Sequence, residues 1–332
     1  MSGLIGRRGE LPVEGRFPSL RGATDWLNSA QLDPKDLRGK VVVVNFCTYT
    51  CINWLRTLPY VRAWAQTYER HGLVVIGVHT PEFSFEHDLE NVRTALKEME
   101  VTYPIAVDND YAVWTAFSNN YWPALYFIDA EGRIRHHWFG EGDYERSEHI
   151  IQQLLRDAGA EDVTDELASI DPRSPEVAAD WDDLESPEEY LGSRRAQNYD
   201  PSERSAWGEH RSDEGARSLR RNHWTLMGNW TMTPEAVVLN EPNGRITFRF
   251  HARDVHLVMG PAAHETPVPF RVSIDGASPG SARGTDVDED GSGLLDEQRM
   301  YQVIRQQGPI DDRTFEIEFL DAGAEAFAFT FG

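Results

Sequence analysis

A chain of 332 residues is long enough for two domains, each able to bury its own core. Its 40% hydrophobic content and ten tryptophans exclude wholesale disorder. With 55 acidic against 32 basic residues the net charge is -23, which excludes nucleic acid and anionic membrane surfaces as partners, because phosphate binding needs clustered lysine and arginine. Lysine occurs only at Lys35, Lys40 and Lys97. A salt-adapted source would explain so acidic and lysine-poor a surface, and a GC-rich genome accounts for it equally well.

Residues 1–22 carry glycine, proline and arginine without periodicity and read as an arm. Residues 24–28 and 32–37 are expected to form a short hairpin or turn. The β-branched run at 40–44 predicts a buried strand. After it, Trp54, Leu55, Leu58, Val61, Trp64 and Tyr68 recur at helical spacing as far as Gly72, with Pro59 inside the pattern, where a kink is expected. Cys51 therefore stands where a strand ends and a helix begins. The unpaired N–H groups and positive dipole end of that helix would stabilise a thiolate, the placement that turns a cysteine into a nucleophile.

Residues 73–79 are uniformly apolar, as a parallel strand covered on both faces should be. Residues 85–99 predict a helix with Leu89, Val92, Leu96 and Met99 on one face. A strand at 105–108 and a short helix at 112–117 follow. Strands at 124–129 and 134–139 flank Glu131-Gly132, a hairpin signal, and an amphipathic helix at 147–158 closes the first domain, residues 1–160. Residues 161–222 are acidic and polar and read as a linker. From 223 to 332, short alternating runs at 236–239, 246–250, 255–259, 270–274, 301–304, 315–319 and 326–329 predict a β-sandwich or jelly roll.

Five pieces of the first half, Asp36-Leu37-Arg38-Gly39-Lys40-Val41, Thr48-Tyr49-Thr50-Cys51-Ile52-Asn53, Leu58-Pro59, Val75-Ile76-Gly77-Val78-His79-Thr80-Pro81-Glu82 and Tyr121-Trp122-Pro123-Ala124, together resemble thioredoxin-like redoxins of the TlpA/DipZ type. The resemblance implies an α/β thioredoxin-like sandwich and thiol–disulfide chemistry at Cys51. It also implies a cis proline at Pro123, which with Trp122, Thr50 and Trp54 would line the substrate site. The second half resembles the carbohydrate-binding-module-like domain that follows the redoxin in DipZ-type proteins, on Glu297-Gln298-Arg299-Met300-Tyr301-Gln302 and Arg313-Thr314-Phe315-Glu316-Ile317. One departure stands out. The family motif is Cys-x-x-Cys, and Trp54 occupies the place of the second, resolving cysteine; Cys47 stands where the family generally has tryptophan.

Cys47 is then either a substitute resolver or a small buried thiol. His79 and Glu82 end the strand on the edge where the cysteine loop should lie and are candidate proton partners for Cys51. Thr48, three residues before Cys51, matches part of a peroxidatic Pro-x-x-x-Thr-x-x-Cys pattern, with Val44 in the proline's place. His136 and His137, on opposite faces of a strand, make a poor metal pair. Asp286-Val287-Asp288-Glu289-Asp290-Gly291 with Glu297 satisfies a calcium-loop pattern, but strand-like flanks favour an acidic hairpin loop. Trp224 and Trp230 are candidates for a sugar-stacking platform, although core tryptophans are commoner.

Three functions stay open from the sequence. The first is a thiol–disulfide oxidoreductase acting on a protein or small-molecule disulfide, with Cys47 or an external thiol as resolver. The second is a one-cysteine peroxidase acting on a peroxide and reduced by an external thiol. The third is a non-catalytic peptide- or glycan-binding protein. No cofactor and no metal is expected. The opening residues lack the apolar core of a signal peptide and no run is long enough to span a bilayer, so a cytoplasmic location is expected, although relatives of this type often work outside the membrane.

Overall fold

Four consecutive valines open β3 (Val41–Cys47), and each is at most 1% exposed. They lie in the central strand of a seven-stranded sheet. The computed structural model describes residues 11–201, 219–263 and 266–332 and divides into two compact units, Met1–Glu176 and Val177–Gly332. The first ten residues and the part of the expected linker at 202–218 lie outside the described residues.

In the first unit, β3 pairs in parallel with β4 (Leu73–His79) and antiparallel with β6 (Ala124–Ile128). Beyond β4 come β5 (Ile105–Val107), parallel, and β2 (Asp25–Leu27), antiparallel; beyond β6 come β7 (Arg133–Phe139) and β1 (Gly15–Arg16). Strand alternation sends Val42, Val44 and Phe46 to one face, where Val113 of α3 (Ala112–Ala116) joins them in a core. Asn45 and Cys47 face the other side, under α1 (Ile52–Tyr68), which runs unbroken through Pro59. Beside α1 lies α4 (Tyr144–Asp157): the Trp64 indole and the Tyr68 hydroxyl donate to Glu148 at 2.9 and 2.6 Å. This is a thioredoxin-like α/β sandwich.

Two local expectations change. Residues 24–28 make no hairpin; Asp25–Leu27 is an edge strand on β5, far along the chain. The helix expected at 85–99 is split into a 3-10 turn, Ser84–His87, and α2 (Leu89–Glu98), because the Asp88 side chain accepts the Glu90 N–H and restarts the helix.

The second unit is all β. One sheet runs β10 (Trp230–Met232), β11 (Val237–Leu239), β18 (Ala324–Phe331), β13 (Asp254–Pro261) and β16 (Arg299–Arg305), with β8 (Glu189–Tyr190) also on β18. The other runs β15 (Ser292–Leu295), β14 (Val268–Ile274), β17 (Arg313–Phe319), β12 (Gly244–Phe250) and β9 (Trp224–Met227). Phe248, Phe270, Tyr301, Phe315, Phe319 and Phe329 fill the core between them. Part of the stretch expected as linker belongs to this core: Leu191 is wholly buried in it, beside the two-residue strand β8. Leu191→Ala should accordingly destabilise the protein by about 2–5 kcal/mol, measured as a lower urea midpoint, whereas a linker leucine would cost almost nothing.

Candidate active site

The thiol of Cys51 is set by three segments. β3 ends at Cys47, and the chain turns through Thr48-Tyr49-Thr50, with the Cys51 N–H donating to the Thr48 carbonyl at 3.2 Å. Cys51 is the N-cap of α1, in extended conformation at φ -75 and ψ 113, and its own carbonyl takes the first helical bond from Leu55 at 2.9 Å. The helix N-terminus therefore lies at the sulfur, where its N–H groups favour a thiolate. The third segment is the loop before β6. Its Trp122–Pro123 peptide is cis, and the Trp122 carbonyl accepts from Cys51 Sγ at 3.8 Å. The Trp122 indole is anchored in turn, donating to the Thr80 carbonyl at 3.1 Å and packing on Trp114.

One turn into α1, Trp54 is wholly buried and donates through Nε1 to Asn45 Oδ1 on β3 at 2.8 Å. The position of a resolving thiol is thus filled by an indole tied to a buried amide, and neither group takes part in thiol exchange. Cys47 is 1% exposed, and its Sγ donates to the Val78 carbonyl on β4 at 3.4 Å. Burial, reinforced by the charge of Glu86, pushes its thiol far above the ordinary range. The two thiols reach toward opposite neighbours of β3, Cys47 toward β4 and Cys51 toward the loop entering β6, and no disulfide joins them.

The other residues picked out from the sequence divide sharply. Thr50 is 1% exposed, and its hydroxyl donates to Glu86 Oε1 at 2.6 Å, so that side chain faces the interior and not a substrate. His79 is sealed beneath Tyr49, with neither ring nitrogen hydrogen-bonded, and burial drives its pKa down to about 3, which favours the neutral ring. Glu82 contributes its backbone, with its N–H donating to Glu86 Oε2 at 2.6 Å. The carboxylate that reaches the cysteine loop is Glu86. It is fully buried, and the Phe83 N–H also donates to it at 3.0 Å. Burial pushes it up to about 7, against the pull of the Thr48 and Thr50 hydroxyls and the Phe83 N–H. Its one signal in the sequence is a carboxylate set directly after Phe83-Ser84-Phe85.

Among the described residues, no group of three or more His, Cys, Asp and Glu is placed to hold a metal. In the calcium-like loop, Asp286 pairs with Arg299 at 2.9 Å and Glu289 with Arg283 at 3.2 Å, so those carboxylates are engaged by the protein's own cations. Trp224 is wholly buried, with its indole donating to the Gln197 carbonyl at 2.8 Å, and is unavailable as a sugar platform; Trp230 is half-buried against Phe319. No helix among the described residues is long and apolar enough to cross a membrane.

A cysteine at a helix start facing a cis proline, on this sheet order, defines the first unit as a thioredoxin-like redoxin. The AhpC/TSA family matches residues 16–137, and the thioredoxin like C-terminal domain family matches residues 186–332. The chain is 39% identical over 257 residues to protein DipZ of Mycobacterium bovis and of Mycobacterium tuberculosis, a match covering 74% of this chain and 35% of DipZ. It thus spans about a third of the length of those relatives. It is 29% identical over 139 residues to the thiol-disulfide oxidoreductase YkuV of Bacillus subtilis, covering 42% of this chain and 93% of YkuV. The solution structure of a thioredoxin-like protein in the oxidized form is 29% identical, covers 43% of this chain and 96% of its own, and superposes with a TM-score of 0.40. By these matches the chain resembles redoxins of the TlpA/DipZ type, with an AhpC/TSA-like first part and a thioredoxin-like C-terminal domain.

Two outcomes follow from this geometry. Under native conditions near pH 8, iodoacetamide should modify Cys51 and leave Cys47 untouched until denaturant is added, as read by peptide mass spectrometry. Separately, the Glu86 carboxyl holds its proton in the fold to about 7, against an ordinary value of 4.5. Its contribution to stability is therefore full below 4.5 and is lost as pH rises through about 7. Between those limits the stability of Glu86→Gln relative to the native protein should rise by on the order of 3 kcal/mol, measured by urea unfolding across pH.

Proposed function

We propose that the first unit exchanges disulfides through a single thiol. The Cys51 thiolate attacks one sulfur of a protein or small-molecule disulfide R–S–S–R′; the Cys51–S–S–R bond forms, the substrate S–S bond breaks, and R′S⁻ leaves. An external thiolate R″S⁻ then attacks the R sulfur. It forms R–S–S–R″ and returns Cys51 as thiolate, so one thiol enters and one leaves, with no net oxidation of the protein. The observation that carries this reading is the pairing of Cys51 at the start of α1 with a wholly buried Trp54 one turn further on. Cys51 stands where a helix start would favour a thiolate, and the position from which a second cysteine would resolve its product is taken by Trp54. The activity in YkuV's name supports the same chemistry.

The test uses the purified chain with a mixed-sequence peptide disulfide and glutathione as the external thiol. Cys51→Ser should lower turnover by roughly a hundredfold or more. Cys47→Ser should leave turnover within about threefold, and omitting glutathione should trap a Cys51–peptide mixed disulfide by mass spectrometry. Turnover that survives Cys51→Ser, or consumption of hydrogen peroxide in place of the disulfide, would overturn the reading in favour of a binding protein or a peroxidase respectively.

A further inference from the structure

Glu86 is fully buried, yet no cation is among its hydrogen-bond donors: Oε1 accepts from the Thr50 hydroxyl, and Oε2 from the Glu82 and Phe83 N–H groups. All three donors are neutral. Thr50 directly precedes Cys51, so the carboxylate is bonded to the residue whose Cα lies about 3.8 Å from that of the nucleophile. A glutamine could hold the same loop, with its carbonyl accepting both N–H groups and its amide donating to Thr50. Holding the fold therefore does not require an ionisable group.

We infer that Glu86 is a positioning residue for Cys51, which fixes the backbone that presents the thiol through Thr50 and sets by its charge the fraction of Cys51 present as thiolate. The inference rests on Cys51 being the nucleophile. Two like charges held in one loop, on neighbouring residues of the network, oppose each other, so ionised Glu86 disfavours the thiolate and neutral Glu86 permits it. At an effective dielectric of about 20, two charges about 10 Å apart are coupled by on the order of tenfold in the thiolate equilibrium.

The surrounding groups leave Glu86 as the switching charge. Cys47, on β3, feels Glu86 but is held protonated by burial. Glu82, in the same loop, pushes Glu86 up. His87 follows it in the chain, and His79, paired with Cys47 across β3 and β4, is held neutral. Tyr103, behind Cys47, stays protonated through the neutral range. Glu86 itself changes charge at about 7, so the nucleophile is under the control of a group that titrates in the working range of pH.

The experiment is the rate of Cys51 alkylation by iodoacetamide from pH 5 to pH 9, read by mass spectrometry on the full chain, with folding checked by circular dichroism at each pH. The native protein should show two coupled steps. Glu86→Gln should show one, moved to lower pH, with Cys51 alkylated up to about tenfold faster on the shoulder between the native steps. Thr50→Val removes a neutral donor to the carboxylate, so its first step should move to higher pH. A measurement on the native sequence avoids substitution altogether: the Glu86 carboxyl carbon resonance, titrated before and after Cys51 is alkylated, should shift its midpoint, because coupling is reciprocal. If Cys51 reacts and the three rate profiles superimpose, Glu86 is structural only and the inference fails. If Cys51 is unreactive at every pH in all three proteins, the nucleophile reading itself fails.

Discussion

The hydrogen bond from Trp54 to Asn45 holds the site together. An amide in the middle of a strand buried on both faces is costly unless both of its ends are satisfied, and leaving one unpaired costs about 1–3 kcal/mol. Asn45 Oδ1 receives the Trp54 indole at 2.8 Å, while its Nδ2 reaches only long contacts to the Phe46 and Ala124 carbonyls, at 3.4 and 3.5 Å. The indole is thus the partner that makes Asn45 tolerable in a run of valines. Because Trp54 is on α1, the same bond fixes where the helix starts over β3, and with it the position of Cys51, three residues earlier. The tie that positions Cys51 also fills the place of a resolving cysteine.

Cys47 completes the exchange of residue types. A thiol there is small enough to lie on the sheet beside Gly77, where an added Cβ would meet Ile105 at 2.4 Å and Tyr103 at 3.3 Å and would come within 3.8 Å of the Cys47 sulfur. The crowding comes from the far side of the sheet edge, around β5, and it keeps Cys47 dry. One cysteine is therefore sealed against the side chains of β4 and β5, and the other opens on the proline loop. The chemical consequence is a division between a structural thiol and an accessible one within five residues of chain.

Most of this frame is legible in the sequence because it rests on local signals. The valine run, the helical recurrence from Trp54 to Tyr68 and the Glu131-Gly132 turn each announce themselves over a few residues, and Cys51 follows from the junction between the first two. Elements that depend on distant partners are not legible. The edge strand Asp25–Leu27 exists because β5 offers it an edge, and Glu189–Tyr190 because β18 does. In an acidic stretch, two residues of strand leave no periodicity to detect. Glu86 escaped for the same reason: its role depends on a loop folding back so that Thr50, 36 positions earlier, meets it. Glu82, closer to the strand end, is the more conspicuous carboxylate in the sequence, and it meets Glu86 through its backbone N–H and through its charge.

Tryptophan plays one structural role in both units. The indole N–H is the sole polar atom on a large apolar side chain, so a buried tryptophan can join two elements only where an acceptor is waiting. Trp54 joins α1 to Asn45 of β3, Trp64 joins α1 to Glu148 of α4, and Trp122 joins the proline loop to the Thr80 carbonyl after β4. In the sandwich, Trp224 reaches the Gln197 carbonyl and Glu189 Oε1 and so tethers the segment that precedes β9. This explains why Trp224 is not a sugar platform: stacking on a ligand needs an exposed ring face, whereas tethering needs a buried one. Side chains on β12, on β17 and in the loop just before β17 carry instead the Arg245–Glu318 and Arg249–Asp312 ion pairs, at 3.0 and 3.4 Å, with no aromatic ring among those four residues. A surface of paired charges holds its water, and these four side chains offer a sugar ring no apolar face to cover.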